Sequence, residues 1–359
     1  MAAERRPLKI VCKNLKLSAS HLAKMDIQAV NDYKLIDRCN RHLNYLRISI
    51  TDRCNLRCRY CVPRELIPKL SHTDVLTYEE ILRFVRIATR VGITKVRVTG
   101  GEPLVRKGVY DFLKHLVATE GLKDVSLTTN GVLLAANLKK IQAAGIKRLN
   151  ISLDTLSPTK YRDITGFDEF DRVWRGIENA HRLGLHPIKL NVVALRGIND
   201  EELVDMAQLS LRYPFHIRFI EHMPIGQSDF NPDSLLLAPE IKNRISSLGK
   251  LLPVQVAEHD GPAQRYKFEN AKGEIGFIPA LSQHFCNQCN RLRLTASGQL
   301  RPCLLSDHQE DLKALLRQDC SDQELTDIFF AAVKHKPSDH NLATQDAMRV
   351  GGQMNAIGG

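Results

Sequence analysis

The chain has 359 residues, of which 43% are hydrophobic and 25% charged, and its formal net charge is +11. That length buries one large core, or a large core and a smaller companion, and no apolar run is long enough to span a bilayer. The charge points to an anionic partner such as a nucleotide, nucleic acid or membrane surface, or to an enzyme that is simply basic.

The first 24 residues hold six basic side chains and one acid, Glu4. This is weakly like a mitochondrial presequence, with too short an apolar stretch for a secretory signal. The simpler reading makes Met25 the natural start and residues 1–34 an extension. From about residue 46 a unit recurs: a short apolar strand, a polar loop, then an amphipathic helix. Strands are expected at 46–51, 95–100, 124–129, 148–153, 187–195 and 216–221. The helix after the first strand opens on Thr77 with Glu80 three residues on, a capping box. Further helices are expected at 108–119, 133–144, 169–183 and 200–212, the last capped by Asn199 or Asp200.

Strand–helix steps with short connections build a parallel sheet, doubly wound or curled into a barrel. Parallel strands buried on both faces should be apolar throughout, but here one face is polar: Arg47/Ser49/Thr51, Arg97/Thr99, Asn150/Ser152/Asp154 and Lys189/Asn191. An open barrel with a wet lumen accommodates that row. The expected fold class is therefore α/β, an incomplete (β/α)6 TIM-like barrel. The rhythm changes after Met223. Residues 224–250 read as a loop and a helix, 251–304 as strands and hairpins with a turn at Ser297-Gly298, and 311–336 as two helices. Ser321 with Glu324 caps the second of these. The expected division is an extension 1–34, a barrel 35–223, a C-terminal region 224–336 and a tail 337–359 ending in Gly-Gly.

Nine cysteines are present, six of them in two triplets; Cys12, Cys39 and Cys320 are isolated and read as structural or incidental. Tight clusters without a secretion signal read as metal ligation in a reducing compartment, not as disulfides. DRCNLRCRYC places Cys54, Cys58 and Cys61 in C-x3-C-x2-C on the loop after the first strand, where barrels build active sites. Three thiolates hold three irons of a four-iron cubane and leave the fourth iron open. CNQCNRLRLTASGQLRPC carries Cys286, Cys289 and Cys303 beside Arg291, Arg293 and Arg301. A zinc ribbon completed by His284 is the rival reading of that stretch.

The first triplet, with Tyr60 before its third cysteine and Gly100-Gly101-Glu102-Pro103 at the second strand's end, resembles the radical S-adenosylmethionine (SAM) enzymes. That resemblance places SAM on the open iron, its adenine by Tyr60 and its methionine amino group by the GGEP stretch. Adding C-x2-C-x13-C with NRLRL, the LRISITDRCNLRCRYC run and the terminal MNAIGG, residues 35–359 resemble the GTP 3′,8-cyclase family. The resemblance implies two [4Fe-4S] clusters, one on Cys54, Cys58 and Cys61, the other on Cys286, Cys289 and Cys303. It implies SAM contacts at Tyr60, Gly101, Ser152 and Met223, and GTP contacts at Arg47, Arg97, Thr128, Lys189, Arg218, Arg291 and Arg293. Catalytic roles fall to Arg47, Arg291, Arg293, Gly358 and Gly359.

The implied reaction turns GTP into (8S)-3′,8-cyclo-7,8-dihydroguanosine 5′-triphosphate in the first step of molybdenum cofactor biosynthesis. A SAM-derived 5′-deoxyadenosyl radical takes the ribose 3′ hydrogen, and the carbon radical then attacks carbon 8. Implied partners are an electron donor protein of flavodoxin or ferredoxin type and, downstream, cyclic pyranopterin monophosphate synthase. No nucleic acid or membrane partner is implied, and a homodimer is compatible with the resemblance. Its location would be cytoplasmic, or the mitochondrial matrix if residues 1–24 are a presequence. The second cluster is expected to face the SAM cluster across the barrel mouth. Two departures from the family stand out: Cys39-Asn40 replaces its usual Phe-Gly, and Ser297 its usual Asp. The alternatives are another two-cluster radical SAM enzyme acting on peptide or RNA, and a zinc-ribbon or iron-sulfur binding module.

Overall fold

A computed structural model describes residues 10–12, 15–17, 35–61, 69–226, 232–255, 261–340 and 350–358. The 1–34 extension is represented there only by strands β1 (Ile10–Cys12) and β2 (Leu15–Leu17), paired antiparallel. The six expected strands follow as β3 (Tyr45–Ser49), β4 (Lys95–Thr99), β5 (Asp124–Thr129), β6 (Arg148–Ser152), β7 (Ile188–Ala194) and β8 (Phe215–Glu221). They lie side by side in chain order and every neighbouring pair is parallel.

Each strand alternates as its sequence does. Leu46, Ile48, Val96, Val98, Leu127, Leu149, Ile151, Leu190, Val192 and Ile217 are fully buried against the helical layer. That layer comprises α1 (Tyr78–Arg90), α2 (Val109–Val117), α3 (Leu134–Ala143), α4 (Pro158–Thr165), α5 (Phe170–Arg182) and α6 (Leu203–Arg212). Thr77 and Glu80 form the expected box at α1: the Thr77 hydroxyl accepts from the Glu80 amide, and the Thr77 amide donates to the Glu80 carboxylate. Helix α4, with Pro158 in its first turn and the Ser157 hydroxyl accepting from the Lys160 amide, was not expected from apolar periodicity. No helix among the described residues is long and apolar enough to cross a membrane.

Neither Asn199 nor Asp200 caps α6. Asn199 is 1% exposed and its amide donates to the carbonyls of Asp154 and Val193, while its oxygen accepts from the Leu195 amide. It ties the ends of two barrel strands together, which satisfies buried backbone groups that a cap would leave orphaned.

The later strands join the same sheet. Strands β9 (Leu251–Pro253), β10 (Gln264–Phe268) and β11 (Glu274–Ile278) form an antiparallel meander whose last member runs parallel to β8. At the other edge β12 (Arg291–Leu294) runs parallel to β3, followed by β13 (Gln299–Arg301) and β14 (Glu310–Asp311). Both edges of the six-stranded sheet are thereby covered, and the short strands β9 and β14 become the edges of the whole sheet. Helix α7 (Ala238–Ile245) precedes β9, the Ser297-Gly298 turn joins β12 to β13, and after α8 (Leu312–Leu316) Ser321 with Glu324 caps α9 (Asp322–Lys334). Asn40 sits at φ 65°. The usual family glycine would take that left-handed conformation freely, and asparagine is among the few other residues that tolerate it.

Candidate functional site

The concave face of the sheet lines one cavity of about 260 Å³ that reaches all six clustered cysteines. Cys54, Cys58 and Cys61 occupy the loop leaving the C-terminal end of β3. The Arg57 amide donates to the Thr165 carbonyl and the Arg59 amide to that of Ile164, so the end of α4 pins the loop. The Leu56 amide and the Asn130 side chain both point at the Cys54 sulfur, at 3.4 and 3.6 Å. Burial pushes the Cys61 thiol up to about 12, and the Cys54 sulfur adds to it. Buried, mutually repelling thiols become thiolates together only around a cation.

Gly100 and Gly101 pack against this loop. A Cβ on Gly101 would collide with the Arg53 carbonyl, so the close approach requires glycine. Glu102 is fully buried and its carboxylate accepts from the Leu104 and Asn130 amides and the Thr129 hydroxyl. It fastens the β4 loop to the β5 loop. The Tyr60 hydroxyl donates to Asp154 at 2.7 Å. Burial lifts the Asp154 carboxyl to about 6 despite the bonds from Tyr60 and the Val193 amide.

The second triplet does not face the first across the mouth. β12 pairs Arg291 with Tyr45 and Arg293 with Arg47, parallel to β3. Cys286 and Cys289 precede β12, and β13 returns antiparallel so that Cys303 follows Arg301. All three therefore sit at the N-terminal end of the parallel strands, opposite Cys54, Cys58 and Cys61. The lumen runs between the two triplets.

The sulfur spacing speaks to what these triplets hold. Tetrahedral zinc, with bonds of about 2.3 Å to sulfur, draws its thiolates to about 3.8 Å of one another. Among the described residues, the groups whose ligand atoms all lie within 4.8 Å include neither cysteine triplet. Wider spacing suits a multi-iron cluster. The Cys3His alternative also fails in detail: His284 does approach Cys286, but in company with Asp339 and His340, not with Cys289 and Cys303.

Between the triplets the lumen is basic. Arg47, Arg97, Arg218, Arg291 and Arg293 line it, with Tyr45, Thr128, Ser152 and Asn191 between them. Its acids are occupied: Glu221 accepts from the Ala238, Leu281 and Ser282 amides, and Asp154 from Tyr60 and Val193. Buried polar atoms without a hydrogen-bond partner include Tyr45 Oη, Arg97 Nε, Ser126 Oγ, Thr128 Oγ1 and Asn191 Oδ1. Such groups are costly unless a ligand completes them. Lys189 stands beside Asn150 in the register, next to this wall but outside the cavity lining. Burial and the Arg218 and Arg97 charges drive its ammonium down to about 6. A polyanion is a counter-charge that suits these groups.

Part of the C-terminal tail, Met354 and Asn355, lines the lumen. A short helix α10 (Met354–Ile357) packs with Met223, Cys303 and Leu305, and the Asn355 amide donates to the Asp52 carbonyl at 2.7 Å. The Gly358 carbonyl accepts from Arg293 at 2.6 Å. Gly358 lies at φ 75° and a Cβ there would press on Thr99 and Ser49, so only glycine fits easily. Gly359 lies outside the described residues.

The geometry thus gathers Tyr60, Gly101, Ser152 and Met223 near the first triplet's cavity wall, and every expected GTP contact except Lys189 in the lining. The first strand begins at Tyr45, one residue before the expected 46, and continues the lumen-facing alternation of Arg47 and Ser49. Burial raises the Tyr45 phenol, but Arg97, Arg47, Lys95 and Arg291 together overcome this and bring it to about 8. Asn355 lies within the terminal MNAIGG, but the tail has no periodicity that would single out its side chain.

Residues 48–210 match the Radical SAM superfamily and residues 215–342 the Molybdenum Cofactor Synthesis C family. The chain is 49% identical over 329 residues to the GTP 3′,8-cyclase of Desulforamulus reducens, covering 90% of this chain and 100% of that one. It is 48% identical to the GTP 3′,8-cyclase of Moorella thermoacetica, covering 90% and 99%. In fold it is similar to Streptococcus suis SuiB bound to S-adenosylmethionine, with a TM-score of 0.58 at 14% identity, over 88% of this chain and 71% of that one.

Proposed function

The chain belongs to the GTP 3′,8-cyclase family, and we propose that its lumen holds GTP between two clusters at opposite ends of the barrel strands. It is a radical SAM enzyme that converts GTP to (8S)-3′,8-cyclo-7,8-dihydroguanosine 5′-triphosphate, the first step of molybdenum cofactor biosynthesis. Its cofactors are two [4Fe-4S] clusters and SAM. The observation that carries the arrangement is the basic wall strung between two cysteine triplets.

In this reading Cys54, Cys58 and Cys61 hold the SAM cluster, and Tyr60, Gly101, Ser152 and Met223 seat SAM. Cys286, Cys289 and Cys303 hold the second cluster. When bound, the clusters and SAM supply one-electron chemistry and an open iron position at each end. The protein's own task is placement. Arg47, Arg97, Lys189, Arg218, Arg291 and Arg293, with Thr128, clamp the triphosphate and base so that the ribose lies toward SAM. The Gly358 carbonyl holds Arg293, the tail keeps water from the reacting atoms, and Gly359 shares the catalytic role that the family resemblance implies. Residues 35–223 are read as the SAM-binding barrel and 224–336 as the segment carrying the second cluster. An electron donor protein of flavodoxin or ferredoxin type and a downstream cyclic pyranopterin monophosphate synthase are its proposed partners, and a homodimer its proposed assembly.

Anaerobic turnover with GTP, SAM and a reductant tests the reading. The expected products are 5′-deoxyadenosine and a cyclised guanosine triphosphate. Deoxyadenosine release indifferent to GTP, with no nucleotide product, would sink the placement of GTP in this lumen.

A further inference from the structure

Two buried cations brace the second cysteine triplet from outside the lumen, and they differ in one electrical respect. Arg41, in the lead-in to β3, is 5% exposed. Its guanidinium donates to the carbonyl of Cys286 at 2.6 Å and to that of Pro337 at 2.7 Å. It also forms a buried ion pair with Asp37. Lys336 directly follows the C-cap of α9, a helix anchored on α1 by the stacked rings of Phe84 and Phe329, 4.4 Å apart. It is 1% exposed. Its ammonium donates to the carbonyl of Arg291 at 2.8 Å and to that of Pro302 at 2.7 Å. It also reaches the Cys289 sulfur at 3.6 Å.

The carbonyls held by Lys336 belong to two different cysteine segments, one just after Cys289 and the other just before Cys303. One ammonium therefore sets the separation of those two ligands, while Arg41 fixes the third through the Cys286 carbonyl. The Arg41 charge is balanced by Asp37. Lys336 meets two carbonyls and a sulfur but no carboxylate among the described residues. Its charge therefore falls on the sulfur side. Positive charge and a hydrogen bond at a cluster sulfur favour the reduced, more negative cluster.

We propose that Lys336 is a positioning residue for the second cluster that also raises its reduction potential, while Arg41 positions the same site without shifting that potential. The proposal rests on Cys286, Cys289 and Cys303 holding an iron-sulfur cluster.

The test compares anaerobically reconstituted full-length protein with Lys336→Met, Lys336→Arg and the double variant Arg41→Met with Asp37→Asn by iron and sulfide content and by redox titration of both clusters followed by electron paramagnetic resonance. Wild type should bind about eight irons in two titrating clusters. A wild type with about four irons, or with zinc, overturns the two-cluster reading before any variant is compared, and the proposal with it. In Lys336→Met the second cluster should be harder to reduce by at least tenfold, about 59 mV for one electron, with the SAM cluster unmoved. Lys336→Arg should restore most of that shift. Arg41→Met combined with Asp37→Asn, which removes both charges of the pair together, should lower iron retention while leaving the potential of the clusters that remain unchanged. Full iron with an unchanged potential in Lys336→Met overturns the proposal, as does an equal shift in both clusters. Should Lys336→Met fail to keep the second cluster, Lys336→Gln decides: it retains a donor for one carbonyl but no charge. A lowered potential there supports the proposal and an unchanged one refutes it.

Discussion

Removing the charge of Lys189 should change how nucleotide binding depends on pH. Its ammonium is driven down to about 6 by burial and by Arg218, Arg97, Arg148 and Lys95. At pH 7.5 a lysine with that value is only about 3% charged, and charging it costs about 2 kcal/mol. A bound triphosphate reverses the balance, since the phosphates favour the ammonium that its neighbours repel. GTP binding should therefore take up close to one proton. In the nucleotide-free protein the sign runs the other way: from pH 6 to about 10 the unfolded chain holds a proton on Lys189 that the folded chain lacks, so stability rises with pH across that window.

The assay is isothermal titration of GTP into the cluster-loaded protein, in buffers of different ionisation enthalpy. The observed enthalpy should scale with buffer ionisation at about one proton per GTP. Affinity should weaken by about tenfold per pH unit between 6.5 and 8.5. Tyr45, brought to about 8 by the same field, adds its own slope at the alkaline end. The decisive quantity is thus the difference between wild type and Lys189→Met, in which one proton of uptake should vanish. Identical slopes in the two proteins would refute the reasoning.

Arg291→Ala and Arg293→Ala should each weaken GTP binding by about 3 kcal/mol, roughly a hundredfold, while both clusters stay in place; equal nucleotide affinity by equilibrium dialysis would remove them from the clamp. Gly101→Ala drives a methyl into the Arg53 carbonyl, so SAM binding should be lost while the second cluster's iron remains, and wild-type SAM affinity in that variant would contradict the packing. Asn199→Ala leaves the Leu195 amide and the Asp154 and Val193 carbonyls without their buried partner; a loss of about 3 kcal/mol is expected, seen as a lower melting temperature, and an unchanged melt would mean water replaces the amide.

Much of the barrel was legible because its signals are local. The two-residue alternation of β3 to β8 and the boxes at Thr77 and Ser321 depend on neighbours a few positions apart, and the structure keeps them. Helix α4 was hidden because its start rests on Ser157 and Pro158 more than on an apolar stripe. Asn199 read as a cap because its residue type suits one; only the convergence of Asp154, Val193 and Leu195 around it shows a clamp. Tyr45 lay one step outside the strand as read, so its place on the lumen wall went unseen.

What the sequence determined by itself is the donor chemistry: which sulfurs share a loop, which strands alternate basic and apolar, and where glycine must sit. Those follow from bond lengths and the pleat, which act over a few residues. Only the tertiary structure decided where the donors stand relative to one another. The pairing of β12 with β3 joins Arg291 to Tyr45 across most of the chain, and that one parallel register sends the second triplet to the far end of the lumen. The same closure crowds cations from strands β3, β4, β8 and β12 into one space short of acids, with Lys189 of β7 beside it. No local pattern encodes that shortage, because it is a sum over charges that only folding brings together.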